Sequence, residues 1–150
     1  MSGVVFYFQT FDKDVFSSRP IDLDAWRYAL QAGGITKARC LNEADANISL
    51  GIDDFEIIGT HVDDLLAWQQ AHSEDYFAVF DTQWTCPPDA IPLQNLDHSQ
   101  VDWYVFGGGN GIPVNLPGQR VYLPQSGTGS LHSVHVASAV MFRRWEELNK

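Results

Sequence analysis

Two histidines and two serines near the C-terminus are the residues best suited to acid–base or nucleophilic chemistry. His132 has an ordinary pKa near 6.5, so it can act as a general base or a hydrogen-bond donor at neutral pH. Ser130 or Ser133 beside it would suggest a hydrolase, but no Gly-x-Ser-x-Gly nucleophile motif is present. His135 follows at a metal-binding spacing without a third ligand nearby in sequence, and we predict no metal site. The alternative for His132 is a partly buried residue at a helix start, bonded to the backbone.

The two cysteines, Cys40 and Cys86, are too few for a disulfide framework or a thiolate metal cage. Cys86 precedes two prolines, which favours a buried loop thiol over a nucleophile. We therefore expect a reducing, cytoplasmic setting.

The elements that must position these residues alternate along the chain. Apolar runs predict strands at residues 4–10, 37–41, 55–59, 76–80, 101–106 and 120–123, and helical spacing predicts helices at 25–32, 62–70 and 130–148. Residues 81–95 read as irregular, with three prolines. Strands separated by helices predict an α/β domain with a mostly parallel sheet and helices on both faces. No repeat or linker divides residues 1–150, so we expect a single domain.

Three loops with unusual composition follow predicted strands, at residues 81–83, 107–111 and 124–129. Ligands bind at the carboxyl ends of the strands in sheets of this kind, and the glycines in the last two loops allow a ligand close to the backbone. Each loop alone could be an ordinary turn. Their convergence at one sheet edge would make a pocket, although the loops do not name its ligand.

Composition and charge limit the kinds of partner that the protein can have. The chain has 150 residues, of which 45% are hydrophobic, with no apolar run of membrane-spanning length and no signal-peptide pattern. Nineteen acidic residues against nine basic ones give a formal charge of −10. Lysine and arginine supply most non-specific affinity for nucleic acid, so this balance argues against a general RNA-binding surface.

Three segments together resemble the motifs of the SpoU-type RNA ribose methyltransferases. Residues 120–124, then 130–133 and the apolar helix that follows, are similar to the last motif: a strand ending in Leu-Pro, a polar loop and Ser-Leu-Asn-x-Ser. Residues 106–113 resemble the middle motif, Phe-Gly-x-Glu-x-x-Gly-Leu-Pro. The first motif of the family, Pro-x-Asn-x-Gly-x-x-x-Arg-x-x-x-x-x-Gly, is matched in its frame by Pro20, Arg27 and Gly33. The resemblance therefore covers nearly the whole chain.

The resemblance implies a fold, a cofactor and a partner. It implies a C-terminal trefoil knot and a homodimer formed partly by the long C-terminal helix, including Met141, Phe142 and Trp145, which could equally be core residues. It implies S-adenosylmethionine bound between the three loops, largely through backbone groups, and an arginine, here Arg27, at the catalytic centre. The cofactor contacts carried over from the family are Thr82, Gly107, Gly108, Leu123, Ser130 and Leu131.

Several positions depart from the family pattern. Glycine and asparagine occupy the middle-motif loop where the family has glutamate, and that loop is one residue shorter. His132 stands in place of the third-motif asparagine, and Ile21 or Asp22, with Leu23, replaces the asparagine and glycine of the first motif. A cofactor pocket lined by backbone tolerates such changes better than catalysis does.

These observations leave two hypotheses. The first is an S-adenosylmethionine-dependent 2′-O-ribose methyltransferase acting on tRNA or rRNA, with Arg27 and His132 as catalytic residues. Because a guanidinium is always protonated, Arg27 would hold a phosphate and stabilise alkoxide charge; the alternative is an ordinary solvated helix residue. The second hypothesis is a non-catalytic relative that serves as a cofactor-binding or dimeric assembly module. The last motif favours the first, and the acidity and the missing glutamate favour the second.

Overall fold

A computed structural model describes residues 2–7, 20–41, 50–107, 116–127 and 133–150. Its strands are β1 (Gly3–Tyr7), β2 (Lys37–Leu41), β3 (Asp54–Gly59), β4 (Phe77–Phe80), β5 (Ile91–Pro92), β6 (Trp103–Gly107) and β7 (Gln119–Tyr122). Its α-helices are α1 (Pro20–Ala32), α2 (Val62–Ala71) and α3 (Ser133–Leu148). Short 3₁₀ turns at Leu93–Asn95 and His98–Gln100 precede β6.

The seven strands form one sheet in the order β3-β2-β1-β6-β4-β7-β5, and every pairing is parallel. The predicted α/β class and parallel sheet are therefore confirmed. Parallel neighbours need a crossover connection, which is why helices alternate with strands along the chain. All seven carboxyl ends lie at the same edge of the sheet.

Helices cover both faces of the sheet because consecutive residues in a strand point to opposite sides. On one face, Phe6 and Phe106 pack around Trp26 of α1, with ring centroids 5.0 and 5.7 Å from the Trp26 ring. The core on this face also contains Met141 of α3, which is fully buried. On the other face, Leu65 of α2 belongs to a second apolar cluster with residues of β1, β4 and β6.

Two sequence-based predictions need correction. Residues 81–95 are not wholly irregular, because β5 forms there as a two-residue strand at the edge of the sheet. An edge strand tolerates Pro92, since only one of its sides must donate hydrogen bonds. Met141 belongs to the core and is not exposed for an interface, whereas Phe142 and Trp145 are exposed.

The predicted trefoil knot depends on the path of the chain through residues 108–115 and 128–132. Those residues lie outside the described ranges, so the knot stays a prediction. Within those ranges, no helix is both long and apolar enough to cross a membrane.

Candidate functional site

The candidate site is built on three adjacent strands. β4 lies between β6 and β7, and the register pairs Val79 with Val105 and Phe80 with Val121. The three strands therefore end side by side. The chain leaves β6 at Gly107, β4 at residues 81–82 and β7 at Leu123. The three strand ends from which the predicted loops start therefore lie together at one edge of the sheet, and residues 108–111 and 128–129 of those loops lie outside the described ranges.

Asp81 organises the turn after β4. Its Oδ1 accepts hydrogen bonds from the Thr82 backbone N–H at 2.7 Å and from Thr85 Oγ1 at 2.8 Å. The Thr82 carbonyl accepts from the backbone N–H groups of Thr85 and Cys86, at 3.2 and 3.1 Å. The Thr82 hydroxyl also lies 2.7 Å from the Thr85 hydroxyl. This bonding fixes the backbone of the turn before any ligand arrives.

A buried ion pair holds the same turn to β7. Arg120 Nη1 donates to Asp81 Oδ2 at 3.1 Å, and Arg120 Nη2 donates to the Leu116 carbonyl at 3.3 Å. The exposed fractions of the Arg120 and Asp81 side chains are 6% and 10%. Removing both charges from water is costly unless each is well bonded, and here the carboxylate accepts on both oxygens.

A second bridge joins the first and third loops directly. The backbone N–H of Gln125 donates to Gln83 Oε1 at 3.1 Å. This bond holds the loop after β7 against the turn after β4. Leu123, at the start of that loop, is half-buried and packs against the core.

Gly107, at the end of β6, is buried, and its carbonyl accepts a hydrogen bond from the hydroxyl of Ser133. Ser133 is the first described residue of α3, so the start of this helix lies against the end of β6. Gly108, Ser130, Leu131 and His132 lie outside the described residues, and their predicted roles stay predictions.

Arg27 lies on α1, and its described polar contacts stay on that helix. Its Nη2 lies 2.8 Å from Asp24 Oδ1, and its guanidinium lies 4.9 Å from the centre of the Tyr28 ring. About a third of the Arg27 side chain is exposed to solvent. The described contacts bring Thr82, Gly107 and Leu123 to one sheet edge, and none of them joins Arg27 to that group.

Cys86 follows the Asp81 turn. Burial, together with the nearby Asp81 carboxylate, raises the pKa of the Cys86 thiol to about 11. A thiol with that pKa is protonated at neutral pH and is a poor nucleophile, in agreement with its interpretation as a loop thiol. The described residues include no group of three or more histidine, cysteine or carboxylate side chains arranged to hold a metal.

Sequence reasoning did not find the Asp81–Arg120 pair or the Gln83–Gln125 bridge. Asp81 and Gln83 were noted only as polar residues after a strand, and their partners lie 39 and 42 positions away. A pairing across neighbouring strands becomes visible only when the strand order is known.

Solved structures with a similar fold include methyltransferases. An AdoMet-bound rRNA methyltransferase from Sinorhizobium meliloti matches with a TM-score of 0.67 and 17% identity, over 98% of this chain and 57% of that one. The SpoU methyltransferase AviRb from Streptomyces viridochromogenes, in complex with AdoMet, matches with a TM-score of 0.68 and 14% identity, over 98% of this chain and 60% of that one. The chain has the fold of a SpoU methyltransferase.

A third structure matches over nearly the full length of both chains. It was described as giving insight into 2-OH methylation of C/U34 on tRNA, and it matches with a TM-score of 0.59 and 13% identity, over 97% of this chain and 95% of that one. The chain thus spans about three fifths of the Sinorhizobium and Streptomyces proteins and nearly all of this one. No family model and no curated protein matches the sequence.

Proposed function

We propose that this protein is a divergent SpoU-type methyltransferase that transfers a methyl group from S-adenosylmethionine to a ribose 2′-hydroxyl of tRNA or rRNA. The observation that carries the proposal is that β6 and β7, which lead into the middle and last motifs, end at the same edge of the sheet on either side of β4. Solved proteins with this fold include an rRNA methyltransferase and a SpoU methyltransferase, each with AdoMet bound.

The geometry of the edge suits this cofactor. Asp81 and Gln83 fix the loop backbones, and Ser133 fixes the carbonyl at the end of β6. Half-buried Leu123 offers an apolar surface where the sequence motif implies a cofactor contact. A pocket that binds through backbone groups of Thr82, Gly107, Gly108, Leu123, Ser130 and Leu131 does not need the side chains in which this sequence departs from the family.

The cofactor, when bound, supplies an electrophilic methyl group, and the protein must orient the hydroxyl and manage its proton. Removal of the hydroxyl proton leaves negative charge on the ribose oxygen, which a fixed cation nearby stabilises until the oxygen takes up the methyl group and becomes a neutral ether. Arg27 fits this role because its side chain, about one third exposed, can release Asp24 and bind the substrate instead. His132 can accept the proton or donate a hydrogen bond in place of the family's asparagine.

The second candidate function is a non-catalytic module that keeps the pocket or the dimer interface. The observations that favour it are the formal charge of −10 and the glutamate missing from residues 106–113. Both affect RNA binding and turnover more than cofactor binding, so separate measurements of binding and methyl transfer distinguish the two functions.

Calorimetric titration with S-adenosylmethionine and S-adenosylhomocysteine tests the cofactor proposal. We expect binding by the parent protein and none by Gly107→Val, because the added side chain restricts the backbone at the end of β6 and fills the space beside it. Ile57→Ala is the control, because Ile57 is 42% exposed and lies on β3, at the edge of the sheet away from the candidate site. Absence of heat with either ligand, in folded parent protein, would remove the cofactor from the proposal.

A further inference from the structure

Trp84 is a large apolar side chain left in solvent at the candidate site. The residue is 49% exposed, whereas Trp26 is fully buried and Trp103 is 3% exposed. In the described part of the chain, no aromatic pair, cation–π contact or hydrogen bond involves the Trp84 indole. Tryptophan is enriched at binding interfaces because its ring offers a large contact area.

The backbone on both sides of Trp84 is fixed. On one side, the Thr82 N–H and the Thr85 hydroxyl donate to the Asp81 carboxylate, and Thr85 N–H closes the turn onto the Thr82 carbonyl. Gln83, the residue before Trp84, is bonded to the loop after β7. With the backbone fixed, only the two side-chain torsions of Trp84 remain to be ordered when a ligand covers the ring, which keeps the entropic cost of binding small.

The position of Trp84 selects the kind of ligand. It lies two residues after Thr82, on the loop that leaves β4 between the ends of β6 and β7. Under the proposed function, cofactor and target ribose meet at this edge, so a group resting on Trp84 would belong to the RNA close to the modified nucleotide.

Charge favours recognition through a base rather than through phosphates. The chain has nine lysine and arginine residues against nineteen acidic ones, and Arg120, the described cation bonded to this turn, is buried and paired with Asp81. Every base has an aromatic face, and one base stacked on an aromatic side chain strengthens binding by roughly 5- to 150-fold without any lysine or arginine.

We propose that Trp84 is a stacking platform for an unpaired nucleobase of the RNA substrate, beside the methyl-transfer site. The inference rests on the proposed function for the identity of its ligand. It assigns Trp84 a role in substrate affinity and none in cofactor binding.

The test uses two fluorescent probes that share a backbone: a ribo-oligonucleotide of ten adenosines and an abasic oligonucleotide of the same length. Fluorescence anisotropy at low salt measures the affinity of the full chain for each. We expect the parent to prefer the adenosine probe by at least about fivefold. Trp84→Ala should abolish this preference, and Trp84→Phe, which keeps a ring, should retain most of it.

Ile57→Ala is the matched control, because Ile57 is 42% exposed and lies on β3, the edge strand at the other end of the strand order. Its preference for the adenosine probe should equal that of the parent. Equal affinity of the parent for both probes, no binding to either, or an unchanged preference in Trp84→Ala would overturn the inference.

Cofactor titration of the same proteins separates this inference from the proposed function. Trp84→Ala should bind S-adenosylmethionine as the parent does. A base preference that depends on Trp84 in a protein that binds no cofactor would support the platform and reject the methyltransferase. Loss of cofactor affinity in Trp84→Ala would place the indole in the cofactor pocket and overturn the inference.

Discussion

Arg120 on β7 donates a hydrogen bond to Asp81 at the end of β4, 3.1 Å away, and both side chains are at least nine-tenths buried. The pair connects two neighbouring strands at the edge where their loops form the candidate site. Asp81 also caps the turn that contains Thr82. The stability of the sheet edge and the geometry of the turn at the candidate site therefore depend on the same carboxylate.

Replacing Arg120 with methionine should destabilise the protein by about 3–5 kcal/mol, because it leaves the Asp81 carboxylate buried without its cation. Urea unfolding followed by circular dichroism measures the loss. Glu146→Gln is the control, because its ion pair with Arg143 is exposed and should contribute under about 1 kcal/mol. If Arg120→Met is no less stable than Glu146→Gln, the buried pair has no structural role.

Gly33 marks the place where α1 ends against α3. A Cβ at Gly33 would lie 2.2 Å from Met141 Sδ and 3.0 Å from Met141 Cβ, and the Gly33 carbonyl accepts from Arg144 Nε at 2.8 Å. Gly33→Ala should therefore cost about 1–3 kcal/mol through overpacking. Gly127→Ala, whose added Cβ would meet no atom of the described residues within 4 Å, should change stability little. Thermal unfolding compares the two, and equal midpoints would contradict the close packing of α1 on α3.

A buried polar cluster at the start of β6 predicts a dependence of stability on pH. Tyr104 Oη lies 3.3 Å from its donor Arg144 Nη1 and 2.9 Å from His98 Nδ1. Because a guanidinium only donates, the Tyr104 hydroxyl accepts from Arg144 and can give its own proton to His98 Nδ1. This arrangement requires a neutral imidazole at His98.

Burial lowers the pKa of His98 below its ordinary value of 6.5; the nearby Glu147 and Asp97 carboxylates oppose the shift, and Arg144 and Arg143 reinforce it. Below pH 6.5 the unfolded chain takes up a proton that the folded chain refuses. The free energy of unfolding should therefore fall as pH decreases below about 6.5, by at most about 1.4 kcal/mol per pH unit for one proton. Denaturant titrations between pH 7.5 and about 5 measure this slope, and His98→Gln should flatten it. An unchanged slope in that variant would assign the effect to other groups.

The outer face of α3 predicts self-association. Phe142, Trp145 and Leu148 are 60%, 53% and 45% exposed, and Tyr28 on α1 is 60% exposed. We expect light scattering at micromolar concentration to give twice the chain mass of 16.8 kDa. Trp145→Glu should shift the protein toward monomer, and Glu146→Gln, one position along the same helix, should not. A monomeric parent would remove the homodimer from the proposal.

The sequence predicted the parts of this molecule that depend on local periodicity. Residues 37–41 were predicted as a strand with the bounds that β2 has, and the helix beginning at Val62 was predicted to within one residue of its end. β5 was missed because two residues containing a proline carry no periodic signal, and its strand character comes only from pairing with β7. The helix α1 begins at Pro20, five residues before the predicted start, because proline suits the first turn of a helix.

The candidate site was predictable only as far as its loops. Composition indicated which loops carry glycine and polar residues. The order of the motifs indicated that the loops after β6 and β7 belong together. The buried side of the site was not predictable, because Asp81 and Arg120 meet only through the parallel pairing of β4 with β7. Trp84 gave no sequence signal, since exposure of one aromatic residue depends on the turn around it.

Arg27 and His132 together decide between an enzyme and a non-catalytic module. Arg27→Ala should lower methyl transfer by about a hundred- to a thousandfold and leave cofactor affinity little changed, because the arginine stabilises charge that develops on the substrate oxygen. His132→Asn should preserve activity or raise it, since it restores the family's residue. If His132 is instead the general base, activity of the parent should rise through about pH 6.5, and the variant should lose that step.

Transfer of tritiated methyl groups into total tRNA and rRNA at low salt measures these effects, since low salt gives an acidic protein its strongest binding to RNA. Asp24→Asn is the matched variant for Arg27→Ala, because it removes the arginine's partner in the free protein and leaves the guanidinium in place. It should keep turnover, as the exposed Arg27 is then free to bind phosphate. A turnover loss in Asp24→Asn as large as that in Arg27→Ala would show that the ion pair acts through α1 and not through the substrate. Cofactor binding without any incorporation by the parent would decide for the non-catalytic module.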